Sequence, residues 1–146
     1  MNSDFRELLQ AFTAQGVKYL IVGGYAVIHH ARPRFTKDLD LWIEPTKENA
    51  QRVLKALRDF GIPLIDVEPG DFSEPGLQYV IGLPPVQFDF LTSVPGLEFT
   101  EAWDKKSIGK LGEMELNFLG IEDLRIAKRT ASPPQDLVDL EELSGQ

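Results

Sequence analysis

Apolar residues recur along this chain with two periods, and the switches between them mark out its elements. Near the start, Phe5, Leu8, Leu9 and Phe12 recur at helical spacing behind a D-x-x-E capping pattern formed by Asp4 and Glu7, and Gly16 stops that helix. Residues 17–22 (VKYLIV) predict a buried strand that Gly23-Gly24 breaks, and residues 25–31 predict a short helix ending at Arg32-Pro33. Residues 38–43 (DLDLWI) alternate as a strand does. Pro45 ends it, Thr46 can cap a helix striped by Ala50, Val53, Leu54 and Leu57, and Gly61 is the C-terminal stop.

Residues 62–67 predict a short strand, and residues 66–75 a loop rich in Gly, Pro and acids. Residues 77–81 and 86–91 (VQFDFL) predict two strands joined by a Gly-Leu-Pro-Pro turn. Residues 94–110 read as irregular apart from one short helix at 99–103, followed by a last strand at 114–119 and a helix from 121 to 129. Ser132-Pro133-Pro134 caps a final helix carrying Leu137, Leu140 and Leu143. This order predicts an α/β (α+β) fold, a mixed central sheet flanked by helices. Without repeats or a linker, residues 1–146 read as one domain.

Composition narrows the function. Hydrophobic content of 42% and charged content of 26% are those of an ordinary globular protein. No apolar run approaches the roughly 20 residues that span a bilayer, and the N-terminus reads as a helix start rather than a signal peptide. The expectation is a cytoplasmic protein with no membrane contact. The absence of cysteine fits that setting and excludes disulfides, thiolate metal sites and a cysteine nucleophile. A net charge of −8 excludes a broad electrostatic grip on nucleic acid. Any phosphate site must be local. Cations cluster at Arg32, Arg34 and Lys37, at Lys105, Lys106 and Lys110, and at Arg125, Lys128 and Arg129, and each cluster also suits a solvated surface.

Three features carry candidate chemistry. Gly23-Gly24 lies between a strand and a helix, where bare backbone can approach a ligand and its N–H groups can cradle phosphate; it also suits a simple tight turn. Asp38 and Asp40 are two apart in a strand and share a face, while Leu39, Leu41 and Ile43 turn to the core. A hard divalent cation such as Mg²⁺ relieves the repulsion between such carboxylates, although a lone D-x-D also describes the wet face of an edge strand. Asp89 sits mid-strand among apolar residues, where an ionised carboxylate needs a partner, a metal or solvent. If its strand lies beside that of Asp38, a third carboxylate joins the pair. Together these are the parts of a two-metal phosphoryl-transfer site, with Asp89 as general base or bridging ligand.

Residues 23–40 read GGYAVIHHARPRFTKDLD. This string resembles the signature of the DNA polymerase β-like nucleotidyltransferase superfamily. Its R-x-T-x-D-x-D form (Arg34, Thr36, Asp38, Asp40) is similar to the AbiEii-type toxin and related small nucleotidyltransferase families, whose late Lys and Asp are matched by Lys128 and Asp136. The resemblance implies a minimal nucleotidyltransferase fold that uses Mg²⁺ (or Mn²⁺) to move an NMP from an NTP substrate to a hydroxyl of an RNA such as tRNA, a protein or a small molecule. It implies Gly23 and Gly24 as phosphate-loop residues, Arg34 and Thr36 as further nucleotide contacts, Asp38, Asp40 and Asp89 as catalytic metal ligands, and Lys128 as a triphosphate contact. It also raises a toxin–antitoxin system with an antitoxin partner.

The chain departs from the resemblance twice. Many members carry Ser where Gly24 stands, and many have a C-terminal helical domain for which this chain is too short, leaving that surface to a partner or to a second copy in a homo-oligomer. An antibiotic (aminoglycoside-like) nucleotidyltransferase ranks second because of that missing domain, and a non-catalytic NTP-binding or antitoxin protein third because all three carboxylates are present. Arg32 and Arg34 are fixed-charge phosphate candidates. His29 and His30 read as a helix end, and Trp42 as either a base-stacking residue or core.

Overall fold

The computed structural model describes residues 2–31, 36–64, 67–68, 70–83 and 85–131. The chain runs α1 (Ser3–Ala14), β1 (Tyr19–Val22), α2 (Gly23–His30), β2 (Asp38–Ile43), α3 (Lys47–Phe60), a 3-10 turn (Asp71–Ser73), β3 (Gln78–Leu83), β4 (Val86–Leu91), α4 (Phe99–Asp104), β5 (Ser107–Leu111), β6 (Met114–Phe118) and α5 (Ile121–Ala131). The strands form one six-stranded mixed sheet in the order β3-β4-β2-β1-β6-β5. Pairs β1/β6 and β2/β4 are parallel, and β1/β2, β3/β4 and β5/β6 are antiparallel.

One face of the sheet carries the main core. Leu39, Leu41, Phe88 and Phe90 point to it and are fully buried, as is the α1 stripe of Phe5, Leu8, Leu9 and Phe12. Phe5 and Phe60 reach Phe88 edge-on, at centroid distances of 5.2 and 5.8 Å. The other face carries Asp38, Asp40 and Trp42, and α4 and α5 cover part of it. Trp42 is core: it is 1% exposed and meets Phe99 of α4 edge-on at 5.2 Å, so the base-stacking alternative is set aside.

Several sequence expectations are corrected. The cap of α1 is Asn2, whose Oδ1 accepts from the Asp4 amide at 2.7 Å, so Asp4 lies inside the helix. The first strand starts at Tyr19: the Lys18 amide before it donates to the buried Asn49 side chain at 2.8 Å, and the Lys18 carbonyl accepts from that side chain at 2.9 Å as well as from the Glu44 amide at 3.2 Å. Helix α2 begins at the glycines themselves. No strand is assigned among the described residues of the 62–67 segment, and a strand not foreseen, β5, occupies part of the supposedly irregular stretch. Thr46 and Gly61 bound α3 as expected, with the Thr46 hydroxyl accepting from the Asn49 amide and Gly61 left-handed at φ 97°. The expected final helix lies outside the described residues. Among the described residues no helix is long and apolar enough to cross a membrane.

Candidate functional site

The site is assembled by strand register. On the face opposite the main core, Val22 pairs with Asp40, Asp40 with Asp89, and Asp89 with Val80, making one row across β1, β2, β4 and β3. Beside it, Asp38 pairs with Gln87, and Gln87 with Gly82. The β2/β4 pairing therefore brings Asp89 to the carboxylate pair, the condition that the sequence left open.

Asp40 is the electrostatic centre. Burial, a side-chain hydrogen bond with Asp89, and the charges of Asp89 and Asp38 push its pKa from 3.8 up to about 8, against a downward pull from Lys128. Asp40 and Asp89 thus face each other across the β2/β4 pairing. The Gln87 amide lies 3.4 Å from both carboxylate oxygens of Asp89, a contact that sequence reasoning missed although residues 87 and 89 share a strand face. Asp38 stands one pleat along, and its Oδ1 is buried with no hydrogen-bond partner among the described residues.

The glycines fit around these acids. Gly23 has φ 66°, and a Cβ there would lie 2.0 Å from Asp40 Oδ2. Only glycine permits the end of β1 to press on that carboxylate. At Gly24 a Cβ would lie 2.8 Å from Thr36 Oγ1. Thr36 itself donates weakly to the Asp38 carbonyl at 3.3 Å. The glycine at position 24 is thereby explained: the Thr36 hydroxyl already fills the space a side chain there would take.

Against this turn lies a cavity of about 290 Å³, lined by Val22, Gly23, Asp40, Leu91, Leu124 and Lys128 among others. Helix α5 supplies Lys128 to it, and a Lys105–Asp123 ion pair of 3.0 Å ties the first turn of α5 to the end of α4. Arg32, Arg34 and Asp136 lie outside the described residues. His29 and His30 act as staples: His29 stacks on Phe118 at 4.0 Å and bonds Ser107 Oγ at 2.8 Å, while His30 reaches the Leu119 carbonyl at 2.7 Å.

Whether these residues suit a metal can be judged from their donors. Two facing carboxylates and a third with an orphaned buried oxygen form a hard, all-oxygen donor set of the kind Mg²⁺ or Mn²⁺ prefers. They are not a closed cage: among the described residues no three acidic or imidazole side chains converge as a ready-made metal cluster. Any metal held here would need a further oxygen ligand, from Asp38 turned inward or from a bound molecule.

The six-stranded mixed sheet with its flanking helices is the mixed α/β architecture expected from the sequence. Among solved structures, that of the lincosamide antibiotic adenylyltransferase LnuA with lincomycin bound matches this chain with a TM-score of 0.59 at 15% sequence identity, over 99% of this chain and 96% of its own. No protein-family profile matches the chain, and no curated protein matches it in sequence.

Proposed function

We propose that this protein is a metal-dependent nucleotidyltransferase that moves an NMP from an NTP to a hydroxyl of a small molecule. The observation that carries the reading is the register pairing of Asp40 with Asp89, on parallel neighbouring strands, with Gly23 pressed against Asp40. Asp38, Asp40 and Asp89 would hold Mg²⁺ or Mn²⁺, which when bound supplies Lewis acidity to the phosphoryl and acceptor oxygens. The amides at Gly23-Gly24 would receive phosphate oxygens, and Lys128 would balance the triphosphate charge from the cavity. The acceptor oxygen bonds to the α-phosphorus as the bond to pyrophosphate breaks, and Asp89 takes the hydroxyl proton.

A small-molecule acceptor is favoured over RNA by the net charge of −8. The likeness to LnuA supports the same choice. A toxin acting on RNA or protein under the control of an antitoxin is the second reading, and the R-x-T-x-D-x-D string supports it.

The test is a thermal-shift panel of the four NTPs with and without Mg²⁺ or Mn²⁺, paired with pyrophosphate release, on wild type and on Asp38→Ala/Asp40→Ala. Expected is a metal-dependent rise in Tm with at least one NTP, absent from the variant, because a ligand that binds only the native state stabilises it. Equal stabilisation of both proteins would overturn the assigned site, and none with any NTP would overturn the function.

A further inference from the structure

The row Val22–Asp40–Asp89–Val80 spans four strands and changes character along its length. At the β1 end it is walled: Val22 is 6% exposed, and Gly23, Asp40 and Lys128 border the cavity under α5. At the β3 end it is open: Asp89 is 8% exposed but its neighbour Val80 is 48% exposed. Edge strand β3 turns Tyr79, Ile81 and Leu83 toward the core and leaves Gln78, Val80 and Gly82 uncovered on the carboxylate side. A Cβ at Gly82 would meet nothing within 4 Å. The result is a flat shelf of about 13 Å along the strand, at roughly 3.3 Å per residue, whose inner edge is Asp89 and Gln87.

We propose that this β3 shelf receives the acceptor, with Val80 and Gly82 deciding which acceptors are admitted. The inference rests on the nucleotidyltransferase reading and extends it. An in-line displacement sets the incoming hydroxyl opposite the departing pyrophosphate. The phosphate-binding elements, Gly23-Gly24 and Lys128, lie on the walled side of the Asp40–Asp89 pair, so the hydroxyl arrives from the other side, across β3. The occupant is a neutral or cationic small molecule bearing a hydroxyl. Strands β3 and β4 contain no lysine or arginine, the shelf ends on carboxylates, and the chain carries −8, all of which repel a polyanion. Val80 offers an apolar contact for a ring or alkyl portion, and Gln78 and Gln87 offer amides at the two ends of the strip.

Gly82 provides a clean perturbation, since its φ is not left-handed and the space above it is open, so a large residue fits without strain. The experiment measures pyrophosphate release from Mg²⁺·NTP by wild type, Gly82→Phe and Val80→Glu, with lincomycin, a set of aminoglycosides and a short single-stranded RNA as probes. The Mg²⁺·NTP-induced rise in Tm is recorded alongside. Expected is stimulation of wild type by a small molecule, cut at least tenfold by Gly82→Phe, with KM for that acceptor raised and the NTP-induced rise in Tm kept. Val80→Glu should weaken a neutral acceptor and spare or favour a cationic one. Equal stimulation of wild type and Gly82→Phe would overturn the shelf. Loss of the NTP-induced rise in Gly82→Phe would put the shelf on the nucleotide side and overturn it as well. Stimulation by the RNA, or by no small molecule, would overturn the acceptor class, while a preserved NTP-induced rise in wild type would leave the nucleotidyltransferase reading standing.

Discussion

Replacing Gly23 by alanine separates backbone strain from the chemistry of the site, because the protein contains its own control. Gly16 and Gly23 have nearly the same left-handed backbone, φ 68° and 66°. A Cβ at Gly16 meets nothing within 4 Å, whereas one at Gly23 lies 2.0 Å from Asp40 Oδ2, 2.9 Å from its Cγ and 3.2 Å from its Cβ. Gly16→Ala should therefore cost only the conformational penalty, about 1–2 kcal/mol, a fall in Tm of several degrees for a chain of this size. Gly23→Ala carries the same penalty and must also drive the Asp40 carboxylate back by more than 1 Å to restore an ordinary contact. A side-chain end can move that far without unfolding the protein, so the further loss of stability should be small. The loss of function should not be, since a displacement of about 1 Å at a reacting centre costs on the order of 100-fold. Urea denaturation gives the stabilities, and metal-dependent NTP thermal shift and pyrophosphate release give the function. If Gly23→Ala and Gly16→Ala matched in both, Asp40 would have no need of its contact with the turn, and the geometric argument for the site would fail.

Two more outcomes follow from the same residues. In chelator-treated protein Asp40 holds its proton to about pH 8 when folded but ionises near 3.8 when unfolded, so stability falls as pH rises through that window and levels off above it. Asp40→Asn should gain Tm relative to wild type from pH 4 to pH 8, and a difference independent of pH would contradict the burial and carboxylate crowding assigned to it. At the second glycine, Gly24→Ser should destabilise by about 1–3 kcal/mol through overpacking on Thr36, and Thr36→Ala in the same chain should recover most of it. Additive losses in the double-mutant cycle would show that the two positions do not compete for one space.

Local signals were legible where they were dense. The alternation of residues 38–43 and 86–91 and the Thr46 and Gly61 punctuation of α3 translate directly into β2, β4 and their helix. The pattern failed at β5 because an edge strand needs no apolar alternation, and its glycine serves packing: a Cβ at Gly109 would strike Phe118 at 2.7 Å and His29 at 3.1 Å. The acids of the site were visible as residue types, but their convergence depends on β2 lying parallel to β4, a pairing that no local pattern encodes. The Thr36–Gly24 fit, the Gln87 contact with Asp89 and the Leu91 and Leu124 walls of the cavity are likewise products of tertiary packing.

The two parallel pairings also fix the order in which the site can come into being. Parallel neighbours cannot be joined by a hairpin, so Asp40 must wait for the chain to return through β3 before it meets Asp89. Strand β1 must wait longer, until Phe118 arrives beside Ile21, and Lys128 follows still later on α5. A chain made from its N-terminus thus has its three carboxylates well before the lysine that borders them. Closing loops of that length is the slow part of folding. If the proposed site binds NTP, recovery of that binding in a refolding experiment should lag behind recovery of helix content and so time the last long-range contact to form.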